Sequence, residues 1–304
     1  IPFIARYRKE ATGGLSDETL RDLGERLTYL RNLEQRKEEV VKSIEEQGKL
    51  TDEIIQAVAI SKTLAEVEDI YRPYKQKKKT RATVAKAKGL EPLAEIIIEQ
   101  KETTPIEEIA KQYINIENLS EEDKKNKDKV VKTAEEAIQG ALDIIAENIS
   151  DNSKYRKEIK RICYREAQIE TKATDEEKKS NYEMYYDKQE PIKYIPSHRI
   201  LAINRGEKEE FIKVKIQKPE EKILIYIERD IIKGETQFTE MLKATIQDAF
   251  KRLIEPSIDR EIRSDLTEKA EEKAIKVFGQ NSKQLLLGAP IKGKTVMGFD
   301  PAYR

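Results

Sequence analysis

Hydrophobic positions recur at three- and four-residue steps along most of the chain, the spacing of one buried face of an α-helix. Leu20, Leu23, Leu27, Leu30 and Leu33, then Val40, Val41 and Ile44, form the longest such stripe. Ser16 stands at its start as a capping residue, Asp17 and Glu18 fill the first turn, and Gly48 is the stop. The pattern predicts one helix over 17–47, about 46 Å long at 1.5 Å per residue, with Gly24 as a tolerated weak point. Thr51 caps a second helix whose apolar face holds Ile54, Ile55, Val58 and Ala59, and a short third helix runs from Thr63 to Ile70 and ends at Arg72-Pro73. Residues 81–101 read as two short helices broken at Gly89, and Thr104-Pro105 opens another. The polar stretch 117–129 reads as a loop or linker. A long amphipathic segment follows from Val130 to Ile149, and Ile159, Ile162 and Ala167 continue the pattern.

After Pro196 the period changes. Residues 171–190 are polar with Tyr182, Tyr185 and Tyr186 interleaved, and Ser197 caps a short helix through Ile203 closed by Gly206. Phe211 to Ile216 alternates with period two, and Ile223-Leu224-Ile225-Tyr226-Ile227 is a second β-type run. With Lys218-Pro219-Glu220-Glu221 as the turn, they predict a β-hairpin near 211–228. Helix returns at 237–255, stops at Pro256 and restarts at Ser257 through Val277, with a last helical turn between Asn281 and Leu287.

Composition supports a mainly α fold. Glycine (12) and proline (10) are sparse in 304 residues, 38% of residues are charged, and Trp is absent. The charges balance at 58 Lys+Arg against 58 Asp+Glu. One cysteine, Cys163, excludes an intrachain disulfide framework, and with one histidine, His198, no Cys/His zinc site can be built. Packed residues are the simpler account of both than a nucleophile–base dyad. No cofactor is implied. No apolar run reaches 18 residues and no leader opens the chain, so a cytoplasmic protein without a membrane span is expected. The chain begins Ile1-Pro2-Phe3-Ile4 without Met and closes on a strand-like segment, so it reads as part of a longer protein.

Four features invite chemistry. Gly288 to Thr295 matches the phosphate-binding loop letter for letter, but that loop needs a strand before it and a helix after it, and here the order is inverted. Asp300, just past an apolar run, could meet Mg²⁺, yet one carboxylate makes no two-metal site, and Asp-Pro is a common turn. Ser197-His198-Arg199 has no nucleophile elbow and reads as a capped helix start. The fourth is a basic run with no acidic residue: Arg72, Lys75, Lys77, Lys78, Lys79, Arg81, Lys86 and Lys88. Such a run can neutralise phosphates, and Tyr71 and Tyr74 offer stacking faces; a solvated loop between helices is the bland alternative.

Residues 1–15 (IPFIARYRKEATGGL), 71–94, 196–209 and 255–275 together resemble the Tex family of bacterial transcription accessory proteins, in the family's order. Residues 296–304 resemble the first strand of that family's YqgF-like, RNase H-like domain, with Ala302 where the family usually has Gly. The resemblance implies a helical N-terminal and central region, with helix-hairpin-helix modules and an oligonucleotide-binding RNA-binding domain further on. It implies nucleic-acid binding, RNA or DNA without sequence specificity, and association with transcription proteins such as RNA polymerase. The family's RNase H-like domain is generally held to have lost nuclease activity, so no catalytic role for Asp300 and no enzyme activity is expected.

The expected organisation is a helical region over 1–74, a basic helix-turn-helix-like subdomain over 75–128, a helical region with the hairpin over 129–290, and the start of the RNase H-like domain over 291–304. Two other functions compete with nucleic-acid binding. One is a scaffold that docks protein partners alone; the other is part of an RNase H-like nuclease.

Overall fold

The computed structural model describes residues 1–75, 79–115, 128, 130–175, 179–289, 292–295 and 297–299. Its helices in chain order are α1 (Pro2–Tyr7), α2 (Asp17–Glu46), α3 (Asp52–Ile60), α4 (Leu64–Tyr71), α5 (Arg81–Ala87), α6 (Glu91–Glu99), α7 (Ile106–Lys111), α8 (Ala134–Asp151), α9 (Ser153–Glu166), α10 (Ser197–Lys208), α11 (Glu220–Ile231), α12 (Thr239–Asp248) and α13 (Glu255–Leu286). Three strands, β1 (Gln168–Ala173), β2 (Lys188–Pro191) and β3 (Ile212–Gln217), complete a mainly α fold. The chain divides into two compact units, Ile1–Lys160 with Glu220–Pro256, and Arg161–Pro219 with Ser257–Arg304.

In the first unit most local signals act as read, although α7 begins at Ile106 after Pro105 with no side-chain cap from Thr104. Ser16, Thr51, Thr63, Thr80 and Thr133 each accept a hydrogen bond from the backbone N–H three residues on, which satisfies a donor the helix leaves unpaired. Leu33, Val40 and Ile44 of α2, Val58 of α3 and Val67 of α4 form one buried cluster. Leu23, Leu27 and Leu30, which belong to the same sequence stripe, are exposed. A second core forms around α8, which packs against α5, α6, α7 and α12 and buries Ala137, Ala141, Ile144, Ile145 and Ile149. Gly140 makes that packing possible: a Cβ there would lie 2.4 Å from Leu90 Cδ1 and 3.3 Å from Ala85 Cβ. The chain turns from α5 into α6 at Lys88-Gly89-Leu90, with Gly89 at φ +77°, a conformation only glycine adopts cheaply.

The expected hairpin over 211–228 is not formed. Its first strand exists as β3, but the run Ile223–Ile227 lies in α11, where Ile223, Ile227 and Ile231 are buried at four-residue steps. A short, wholly apolar run carries no period of its own, and tertiary burial of one helical face decided it. In the second unit β3 pairs instead with β1, antiparallel with Ile169 opposite Ile216, and the sheet order is β2-β1-β3. β1 and β2 fall within or beside the polar segment 171–190, to which the sequence pattern assigns no element.

Two glycine and proline signals also act differently. Gly206 lies inside α10 rather than after it; a Cβ there would come 3.0 Å from both Ile212 Cδ1 and Tyr182 Cδ1. Pro256 does not end a helix. It occupies the first turn of α13, and the preceding segment Ala249–Ile254 is a π-helix whose Glu255 N–H reaches back five residues to the Phe250 carbonyl. A widened turn of this kind accommodates a residue without an N–H that would otherwise break the ladder.

Candidate nucleic-acid interface

The basic run occupies one edge of the first unit. Arg72 follows α4 in a single 3₁₀ turn completed by Pro73 and Tyr74, Lys75 leaves that turn, and Thr80 caps α5 in a reciprocal pair with Thr83. Lys77 and Lys78 lie outside the described residues. The other six cations are placed, and carboxylates meet four of them, three from more than 40 residues away. Arg72 Nε is 3.5 Å from Asp151, Lys79 pairs with Asp128, Lys86 is 3.1 Å from Glu91, and Lys88 is 2.5 Å from Glu136. Lys75 and Arg81 are exposed and make no ion pair among the described residues.

Exposure sorts these pairs. The Lys79 side chain is 67% exposed, so its pair stands in water, where such contacts contribute about 0–1 kcal/mol and an incoming phosphate can replace the carboxylate. Lys88 is only 11% exposed and is committed to Glu136. Burial pushes the Glu136 carboxyl up, but hydrogen bonds from Lys88 and from the Lys132 backbone outweigh it and hold the group below its ordinary range. The exposed cationic surface is therefore Lys75, Lys79, Arg81 and Lys86, with Arg72 half-buried beside them.

Helix α6 has the opposite character. Its solvent side carries Glu91, Glu95 and Glu99 at four-residue steps, while Leu93, Ala94 and Ile97 are buried. That acidic row sets α6 apart from the cationic approach to α5 and its first turn.

A groove of about 530 Å³ opens beside this surface between α5 and α8. It is lined by Lys79, Arg81, Val84 and Lys88 from the side of α5, by Gly140, and by Glu136, Gln139 and Asp143 at successive turns of one face of α8, over the buried Ala85 and Leu90. Burial raises the Asp143 carboxyl above its ordinary value against the pull of Arg252 and Arg81; Arg252 Nη2 lies 3.2 Å away. None of these α8 residues is singled out by sequence reading. The available signal was their helical spacing opposite a basic helix, and it carries no meaning until the two helices are known to pack.

The other candidates do not assemble. Cys163 is buried, His198 is exposed at the start of α10, and no group of three or more His, Cys, Asp or Glu could hold a metal among the described residues. In the Gly288–Thr295 motif, α13 precedes the loop, Lys292-Gly293-Lys294 is a turn, and Pro290 and Ile291 lie outside the described residues, as do Val296 and Asp300. No described helix is long and apolar enough to cross a membrane.

These features define a charge-dense helical scaffold with one cationic edge. The chain belongs to the Tex family: a Tex central region-like model matches residues 100–278 and a Tex-like protein N-terminal domain matches residues 1–45. All of the chain aligns with the protein YdcI of Bacillus subtilis (strain 168) at 49% identity, covering 41% of that protein. It aligns with the transcriptional accessory protein Tex of Neisseria gonorrhoeae at 37%, covering 39%. The human S1 RNA-binding domain-containing protein 1 is 30% identical over the whole chain, which covers 31% of it. The chain thus spans about two-fifths or less of the length of these relatives.

Proposed function

We propose that this chain is the helical scaffold of a transcription accessory protein and that it contributes a sequence-independent electrostatic contact to nucleic acid through residues 72–88. The carrying observation is the eight-cation run without an acid, in which Lys75 and Arg81 are exposed with no ion pair among the described residues and Lys79 and Lys86 are held only in exposed pairs. The relative named for its S1 RNA-binding domain and the relative named as a transcriptional accessory protein support a nucleic-acid and transcription setting. Helices α5 and α6 with their three-residue turn make a helix-turn-helix-like pair. In this reading its contact surface is the approach to α5, because the exposed row on α6 is acidic. No catalytic role is assigned.

The test is a fluorescence anisotropy titration against salt. Phosphate contacts make log affinity fall linearly with log salt, by a slope near 0.7 to 0.9 per neutralised phosphate. Changing Lys77, Lys78, Lys79 and Arg81 together to Glu weakens binding to every sequence and flattens that slope. Equal affinity and slope in the substituted protein would remove the assignment.

A second reading has its own observation. Ile275, Phe278, Leu285 and Leu286 of α13 are exposed at near-helical spacing, as expected of a helix that docks a protein partner such as a component of the transcription machinery. If docking is the whole role, the chain binds no nucleic acid at physiological salt.

A further inference from the structure

The sheet β2-β1-β3 buries one face and opens the other. Ile169 and Thr171 of β1 and Ile212 and Ile216 of β3 are buried on one side. Alternation along the strands puts Lys172 of β1 and Lys213 and Lys215 of β3 on the other, all three exposed. Lys213 and Lys215 make no ion pair among the described residues. Lys172 Nζ lies 3.1 Å from Glu170 Oε1, but its side chain is 65% exposed. The register works against the fold: Lys172 stands directly opposite Lys213, and like charges directly opposite across an antiparallel pair are destabilising. Glu170 stands opposite Lys215, yet its carboxylate accepts from Gln217 and Lys172 instead. Nothing in the packing calls for a lysine at 213 or 215.

We propose that this lysine face is a second polyanion contact and that it takes the phosphate backbone of a nucleic acid. It lies in the second unit, on other residues than the basic segment 72–88, and stands or falls without it. A protein partner is held chiefly by apolar and aromatic anchors that fill pockets. Within the strands this face carries no aliphatic or aromatic side chain except Pro191 of the edge strand. Lys213 and Lys215 are about 7 Å apart along one strand, and Lys172 faces Lys213 at about 5 Å across the pair. Three point charges on one rigid surface suit a row of phosphates, whose released counterions drive the association. With no ring on which a base can stack, the contact reads charge and not sequence. The lysines are then kept for binding at a cost in stability, and the two properties should move in opposite directions on substitution.

The experiment titrates the whole chain against salt with two fluorescent DNA duplexes of unrelated sequence, followed by anisotropy. Changing Lys172, Lys213 and Lys215 together to Gln is expected to lower the slope of log affinity against log salt by about 2 to 3, near 0.9 for each phosphate no longer neutralised. The loss is expected to be equal for both sequences and to persist when Lys77, Lys78, Lys79 and Arg81 are already Glu. Lys213→Glu is expected to weaken binding and yet raise the melting temperature, because Lys172 then faces a carboxylate. A raised melting temperature with affinity and slope unchanged marks a solvated face without a ligand and overturns the proposal. So does a fluorescent polyglutamate peptide whose binding the triple change removes while DNA binding stays intact, which assigns the face to an acidic protein. Loss of DNA binding in the 77–81 substitution alone, with the triple change silent, leaves the first contact standing and removes this one. If neither duplex binds the parent protein, both contacts fall together.

Discussion

Two clusters of cations and carboxylates in the first unit differ chiefly in burial. Arg156 of α9 is fully buried, with Nε 3.3 Å from Asp69 Oδ1, and Lys160 Nζ lies 3.2 Å from Asp69 Oδ2. Along 72–88 the same residue types meet carboxylates at similar distances, but the pairs at Lys79 and Lys86 stand in water. Away from solvent a guanidinium has no substitute for its carboxylate, so the pair becomes part of the fold. In solvent the carboxylate competes with water, salt and any arriving phosphate, so the cation remains free to exchange partners. Distance alone does not separate an architectural charge from an available one; exposure does.

The largest effect tests the buried side of that contrast. Arg156→Ala removes the fully buried member and leaves Asp69 only Lys160, and is expected to cost about 3 kcal/mol, the low end for breaking a buried pair, read as a fall in the denaturant midpoint. A loss under about 1 kcal/mol, the range of a surface pair, would break the comparison. Next, Gly140→Ala forces a methyl against Leu90, and overpacking of this kind costs about 1–3 kcal/mol. A smaller effect sits at Lys88, the least exposed of the described cations of the run. Lys88→Ala is expected to cost about 0.2–1 kcal/mol, discounted because Glu136 is over a third exposed. The Glu136 carboxyl is depressed in the fold, so the contribution of this pair is present above the ordinary carboxylate range and is lost as pH falls through the depressed value. Stability measured against pH in the parent and in Lys88→Ala should therefore converge in acid. The smallest effect belongs to Lys79→Ala, which should change stability by less than about 0.5 kcal/mol while weakening nucleic-acid binding. A clear drop in melting temperature there would mean that the exposed edge, too, is architectural.

Much of the helical order was legible in advance because its signals are local. The span of α2 follows from Ser16, the leucine stripe and Gly48, and the break between α5 and α6 follows from Gly89. The basic edge was legible as well, since a run of cations without an acid needs no tertiary knowledge. Its availability was not. Asp151, Glu136 and Asp128 come from more than 40 residues away and decide which cations are occupied. The α8 wall of the groove was illegible for the same reason.

By itself the sequence determined the mainly α character, the capped helix starts, the family and the position of the cationic segment. Each depends on neighbours within a few positions or on a residue pattern carried along the chain. Tertiary structure alone decided that Ile223–Ile227 coils into α11, that β3 pairs with β1 across some 40 residues, and that Gly206 and Gly140 serve close approach. It also decided which of the six described cations stay open. Those outcomes turn on burial and on long-range partners, and no local pattern encodes the surface against which a residue will come to rest.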